Sequence, residues 1–164
     1  MLSFFEKMDM IDEDGGIIKT VNVNAPKIIK STQIVMFECE FSTPALLDLD
    51  ADTGNCIYIL EARIENEFVN GSFHHHSRDG KNVDDKFKAE QSFMERLQRI
   101  IEKHSLAKYN GVCVEVKGLP DMYGAKLRVD YASGERIYTS NNQDNFLSVN
   151  AMKAMLRLFL KQLS

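Results

Sequence analysis

The sequence contains no tryptophan, and only three cysteines and three prolines among its 164 residues. An odd and small number of cysteines does not make a disulfide framework. No CxxC spacing occurs, which excludes a zinc ribbon and a thioredoxin-like motif. No apolar run approaches the ~20 residues that a membrane-spanning helix needs. We therefore expect neither structural disulfides nor a membrane partner.

Positive charge is also in the minority. Lys and Arg number 20 against 24 Asp and Glu, which gives a formal net charge of −4. General nucleic-acid binding requires a basic surface, so we expect no general nucleic-acid partner. The opening residues lack the basic start, apolar stretch and cleavage site of a secretory signal. This predicts a cytoplasmic protein.

The composition that remains is globular, with 44% hydrophobic and 27% charged residues. A chain of this length hides about 70% of the surface that its unfolded form exposes, which is enough for a core without metal or disulfides. We therefore predict a single domain over residues 1–164. Residues 1–16 are expected to be a short amphipathic or mobile lead-in.

Periodicity predicts an α+β fold. Residues with alternating polarity predict strands, and residues with helical spacing predict helices over 82–108 and 148–163. The expected order is roughly ββββα–βββα, with a mainly antiparallel sheet of about six or seven strands and both helices on one face. Segments 56–108 and 126–163 share the order hairpin, polar loop, helix. They represent either an internal pseudo-repeat or a common way to cover a sheet.

The Asn-Gly pair at 70–71 is a strong hairpin signal, because both central residues of a type I′ turn need positive φ. A turn there pairs Glu65 with His76. It also pairs Glu67 with His74, so that all four side chains share the polar face of the sheet. Two imidazoles and two carboxylates form a ligand set for zinc or another divalent metal, and they also suit acid–base chemistry. The alternative is that the four side chains form two ordinary cross-strand ion pairs.

Two loops are further candidates for a site. Asp48, Asp50 and Asp52 are spaced like the start of a calcium loop, although the glycine comes one position late and the twelfth position is not glutamate. A solvated turn explains them better. Asp121 and Tyr123 lie in a loop flanked by glycines, and they could line a ligand pocket or form a plain connection.

The last predicted helix is apolar on most sides. Such a helix is either deeply buried or shared with a partner. We therefore expect it to contribute to a homodimer or to another protein interface, and the alternative is packing between the sheet and the N-terminal segment. The apolar stripe of this helix consists of Met152, Met155, Leu156, Phe159 and Leu163.

The segment 106–146 resembles a recurrent pattern in small uncharacterised bacterial α+β proteins. The resemblance covers about a quarter of the chain, and it implies a bacterial origin, a compact α+β domain and no catalytic residue. The chain departs from the pattern at Ala125, where a bulky aromatic residue is expected. The matching features are Leu106, Tyr109-Asn110-Gly111, Gly118-Leu119-Pro120-Asp121, Leu127-Arg128-Val129-Asp130-Tyr131, Ser133-Gly134-Glu135-Arg136-Ile137 and the asparagine-rich loop before the last helix.

The sequence contains none of the motifs GxSxG, HExxH, P-loop or GxGxxG. Because no catalytic constellation is evident, we expect a non-enzymatic binding or interaction module without a cofactor. It is expected to self-associate through the last helix or a sheet edge. The alternative is a divalent-metal-binding protein, or a metal-dependent enzyme, that uses the Glu/His cluster.

Overall fold

The computed structural model describes residues 5–12, 15–44, 46, 55–77, 82–118 and 124–163, and for 5–12, 15 and 55 it describes the backbone alone. The described residues form nine strands and two α-helices, which confirms the α+β class. In chain order the elements are β1 (Phe5–Asp12), β2 (Gly15–Asn22), β3 (Ile34–Pro44), β4 (Asn55–Glu65), β5 (Phe68–His76), β6 (Asn82–Ala89), α1 (Ser92–Lys103), β7 (Val112–Val116), β8 (Ala125–Tyr131), β9 (Arg136–Asn141) and α2 (Val149–Leu160).

All nine described strands belong to one sheet in the order β1-β2-β7-β9-β8-β3-β4-β5-β6. Neighbouring strands are antiparallel except β7 and β9, which are parallel. The sheet has more strands than the sequence indicates. One of the additional strands is β1, which pairs with β2 where a lead-in was expected.

The other additional strand, β6, corrects the expected first helix. Residues 82–89 pair with β5 along their whole length, and α1 begins only at Ser92. Asn82 is therefore the first residue of a strand and not of a helix. Edge pairing satisfies backbone N–H and C=O groups of β5 that would otherwise lack partners, and this favours a strand over a longer helix.

The hairpin between β4 and β5 turns at Asn66 and Glu67, so the expected turn at 70–71 is wrong. The φ angles of Asn66 and Glu67 are 50° and 73°, and a type I′ turn needs positive values at both positions. The Asn-Gly pair lies inside β5 instead. The turn sits four residues earlier than expected, which shifts the pairing between the two strands by eight residues. Because eight is even, residues 72–76 keep their expected faces, whereas Phe68, which belongs to β5 and not to the preceding strand, points to the face opposite Phe73.

A row of residues on the buried face explains why glycine is needed within β5. Phe37 pairs with Ala62, and Ala62 pairs with Gly71. Gly71 pairs in turn with Phe87 of β6. The aromatic ring of Phe87 lies over the glycine, where a Cβ atom would come within 2.1 Å of it.

Both helices pack on this buried face, as expected. The ring centroid of Phe159 in α2 lies 6.0 Å from that of Phe37 and 5.6 Å from that of Phe87. Phe93 of α1 lies 5.1 Å from Phe159 and 5.2 Å from Phe87. The opposite face of the sheet, here called the open face, carries the polar side chains. In the described part of the chain neither helix has the length and apolarity to span a membrane.

We expect Gly71→Ala to lower the free energy of unfolding by about 1–3 kcal/mol, which is the usual range for overpacking a core. The added methyl group would collide with Phe87, whose ring is held between Phe93 and Phe159. Urea denaturation measures the change. Gly16→Ala is the matched control in β2, because its Cβ would meet nothing within 4 Å. Equal stability of the two variants would contradict the position of Phe87.

Candidate functional site

Three side chains of types that can ligate a metal meet on the open face at the edge of the sheet. His74 and His76 alternate along β5, and Asp84 lies opposite His74 in β6. The Nδ1 atom of His74 is 2.5 Å from Asp84 Oδ1, and the Nε2 atom of His76 is 3.1 Å from the same oxygen. One ligand atom from each residue lies within 4.8 Å of the other two. The pairing of β5 with β6 therefore creates this group, here called the His₂Asp cluster.

The cluster is accessible to solvent. The side chains of His74, His76 and Asp84 are 29%, 44% and 55% exposed. The hydrogen bond to His74, and then the one to His76, lower the pKa of the Asp84 carboxyl below its ordinary value. Asp84 is therefore ionised at neutral pH, as a metal ligand must be.

The donor atoms of the cluster match the preferences of divalent transition metals. Zinc and its neighbours accept imidazole nitrogen and carboxylate oxygen at about 2.0–2.2 Å. Two imidazoles and one carboxylate leave further coordination positions for water or another ligand.

The cluster contains only half of the expected ligand set. His74 and His76 are brought together, but Glu65 pairs with Phe68, about 20 Å along β5 from His74. The Glu65 carboxylate accepts a hydrogen bond of 2.8 Å from the side chain of Asn70. Because the turn lies four residues earlier than expected, neither glutamate can reach the histidines.

Glu67 lies within the turn itself. Its backbone carbonyl accepts a hydrogen bond of 3.1 Å from the side-chain amide of Gln91, immediately before α1. The carboxylate next to the two histidines is instead that of Asp84, a residue expected to lie in a helix. The alternation of Lys86 and Lys88 with Phe87 and Ala89 was the signal that could have identified this strand.

The candidate residues of the two loops are not among those that the structure describes. Asp48, Asp50 and Asp52 lie outside the described residues, and so do Asp121 and Tyr123.

The apolar stripe of α2 lies within the core of the chain itself. Met155, Leu156 and Phe159 are fully buried, and Met152 is 4% exposed. Leu163 is partly buried against the same core. Contacts inside the chain thus account for the apolar character of this helix, which was the reason to expect a partner there.

Comparison with known proteins identifies no relative of this chain. No protein-family model, no curated protein and no solved structure matches it. No other protein therefore assigns a role to any of its residues, and the functional argument depends on the geometry and chemistry of the side chains themselves.

Proposed function

We propose that this protein is a binding module for a divalent transition metal, and that His74, His76 and Asp84 are its ligands. The observation that carries the proposal is the convergence of two imidazole nitrogens and one carboxylate oxygen within 4.8 Å. Strands β5 and β6 hold the three residues, so that little backbone ordering is required when the ion binds.

The ligand types favour transition metals over calcium or magnesium. Ca²⁺ and Mg²⁺ prefer sites built entirely from oxygen atoms, whereas two of the three donors here are imidazole nitrogens. Affinity for such a set rises from Mn²⁺ through Co²⁺ and Ni²⁺ to Cu²⁺, and it is lower again for Zn²⁺ than for Cu²⁺. We expect the protein to follow this order.

Metal binding should also stabilise the edge of the sheet. The cluster joins β5 to β6, and β6 is one of the two edge strands of the described sheet. An ion that binds only the folded protein stabilises it by about 2.7 kcal/mol at a free concentration one hundred times its Kd. Thermal unfolding with and without metal should therefore show an upward shift in Tm.

Titration calorimetry on tag-free protein tests the proposal directly. We expect Zn²⁺ and Ni²⁺ to bind with one ion per chain and a Kd below about 10 μM. His74→Asn, His76→Asn and Asp84→Asn should each weaken binding by at least about tenfold, because each removes one donor. Affinity should fall at acid pH, since protonated imidazole cannot coordinate a metal.

Matched substitutions distinguish this ligand set from the one that the sequence indicated. Glu65→Gln and Glu67→Gln remove carboxylates that the structure places away from the cluster, so both variants should keep the Kd of the unchanged protein. The proposal fails if none of the metals binds below about 10 μM. It also fails if Glu65→Gln weakens binding as much as Asp84→Asn does.

A further inference from the structure

A second region of the open face contains a cleft of about 750 Å³, far from the helices. Its floor consists of Cys113 in β7, Arg128 in β8, and Arg136 and Tyr138 in β9. Residues 22–26 form one wall and the turn 133–135 forms another. The volume lies within the range of small-molecule sites, which is about 300–1,000 Å³.

The walls of the cleft are held in place by hydrogen bonds. The side chain of Asn110 donates to the backbone carbonyl of Pro26 over 2.9 Å. The Glu135 carboxylate accepts the backbone N–H groups of Lys30 and Ser31 at 3.0 and 2.9 Å. Because these bonds join the segment around Pro26 to the sheet and to the turn, the cleft is formed before any ligand binds.

The floor carries more positive than negative charge. Arg128 Nη2 is 3.0 Å from Asp130 Oδ2, and Arg136 Nε is 2.5 Å from Asp130 Oδ1. Two guanidinium groups therefore share one carboxylate. Burial raises the pKa of Asp130, but the hydrogen bonds from Arg136 and Arg128 outweigh it and keep the pKa below its ordinary value.

The acidic residue of the wall, Glu135, is bonded to backbone groups and to a serine hydroxyl. Both carboxylate oxygens of Glu135 already accept hydrogen bonds from the neighbouring backbone, and Oε1 also accepts one from the hydroxyl of Ser133. These bonds lower the pKa of Glu135, the one to the backbone N–H of Lys30 most strongly. Glu135 therefore stays ionised, with the cation of Lys30 near it. Within the floor, two guanidinium groups and the single carboxylate of Asp130 leave one positive charge to attract an anion.

Apolar groups surround this charge. The Tyr138 side chain is 38% exposed and lies opposite Arg128 across the β8–β9 pair. Ala25 and Pro26 add apolar atoms from the wall. The ligand that matches this lining has an anionic group and a planar apolar body.

We propose that the cleft binds a small organic carboxylate. Its carboxylate lies at the guanidinium groups of Arg128 and Arg136, whose planar geometry suits carboxylate oxygens. Its planar body packs against the ring of Tyr138, as aromatic groups do in other sites. This site is separate from the His₂Asp cluster and does not depend on metal binding.

The cleft contains its own reporter. Cys113 is partly buried at the floor, whereas Cys39 and Cys56 are at most 1% exposed. Burial also raises the pKa of the Cys39 thiol. A thiol reagent should therefore modify Cys113 first in the folded protein, and peptide mass spectrometry identifies the modified residue.

The experiment measures the rate at which a disulfide reagent modifies Cys113 in the full chain, with a chelator present and 2-naphthoate as the probe. We expect 2-naphthoate to slow the modification with a Kd of about 1 mM, which is realistic for a ligand of this size. Its uncharged analogue 2-naphthylmethanol should protect Cys113 at least about tenfold more weakly, because it cannot form the charged hydrogen bonds.

Two substitutions of the same type complete the test. Arg136→Gln should weaken protection by about tenfold or more, since it removes one of the two cations. Arg96→Gln changes an exposed arginine of α1 and should leave protection unchanged. The proposal is overturned if about 10 mM 2-naphthoate gives no protection, if the neutral analogue protects equally well, or if both arginine variants behave alike.

Discussion

Phe159→Ala is expected to lower the free energy of unfolding by about 3–5 kcal/mol. The Phe159 side chain is fully buried, and its ring contacts Phe37, Phe87 and Phe93 at centroid distances of 5.1–6.0 Å. These partners come from β3, β6 and α1. Truncation would leave a cavity where α2, α1 and the sheet meet, and the surrounding elements cannot close it without moving together.

Urea denaturation at several protein concentrations measures this loss. Phe68→Ala is the matched control, because Phe68 is 43% exposed and contacts the ammonium group of Lys88 at 4.1 Å. Phe68→Ala should lower the free energy of unfolding by less than about 1 kcal/mol. If the loss of stability in Phe159→Ala depends on protein concentration, the ring belongs to an interface between chains. If the loss equals that of Phe68→Ala, the ring is not buried as described above.

Asn110→Ala is expected to lower the free energy of unfolding by about 3 kcal/mol. The side chain is 3% exposed and makes three hydrogen bonds. It donates to the carbonyls of Pro26 and Arg136, both at 2.9 Å, and accepts the N–H of Tyr138 at 2.8 Å. Alanine would leave three backbone groups without this partner, and each lost bond costs about 1 kcal/mol.

The same variant should loosen the cleft. Because Asn110 joins the segment around Pro26 to β9, its loss should speed the modification of Cys113 by a disulfide reagent at denaturant concentrations where the protein is still folded. Asn150→Ala is the matched control on the exposed surface of α2, and we expect it to change stability by less than about 0.5 kcal/mol. Equal effects of the two substitutions would show that the three hydrogen bonds contribute nothing measurable.

Several elements could be predicted because their signals are local. The turn at 132–134 between β8 and β9 has Gly134 at φ 89°, and Val129 pairs with Ile137 across it. Ser148 caps α2 through a hydrogen bond of 3.1 Å from the backbone N–H of Ala151. In each case residues a few positions apart determine the conformation.

The candidate metal site could be predicted only in part. Alternation within β5 correctly places His74 and His76 on the open face and leaves His75 buried at 2% exposure. The third member of the cluster, Asp84, lies ten positions from His74 and reaches it only because β6 pairs with β5. A local pattern cannot supply that pairing.

The sequence by itself determined the α+β class, most of the strands and the alternation of faces along them, because side-chain alternation follows from the backbone of a single strand. Only the tertiary structure decided where the β4–β5 hairpin turns and that residues 82–89 form a strand. Both choices depend on partners distant in sequence. The ring of Phe87 fits over Gly71, and the backbone groups of β5 need an outer neighbour.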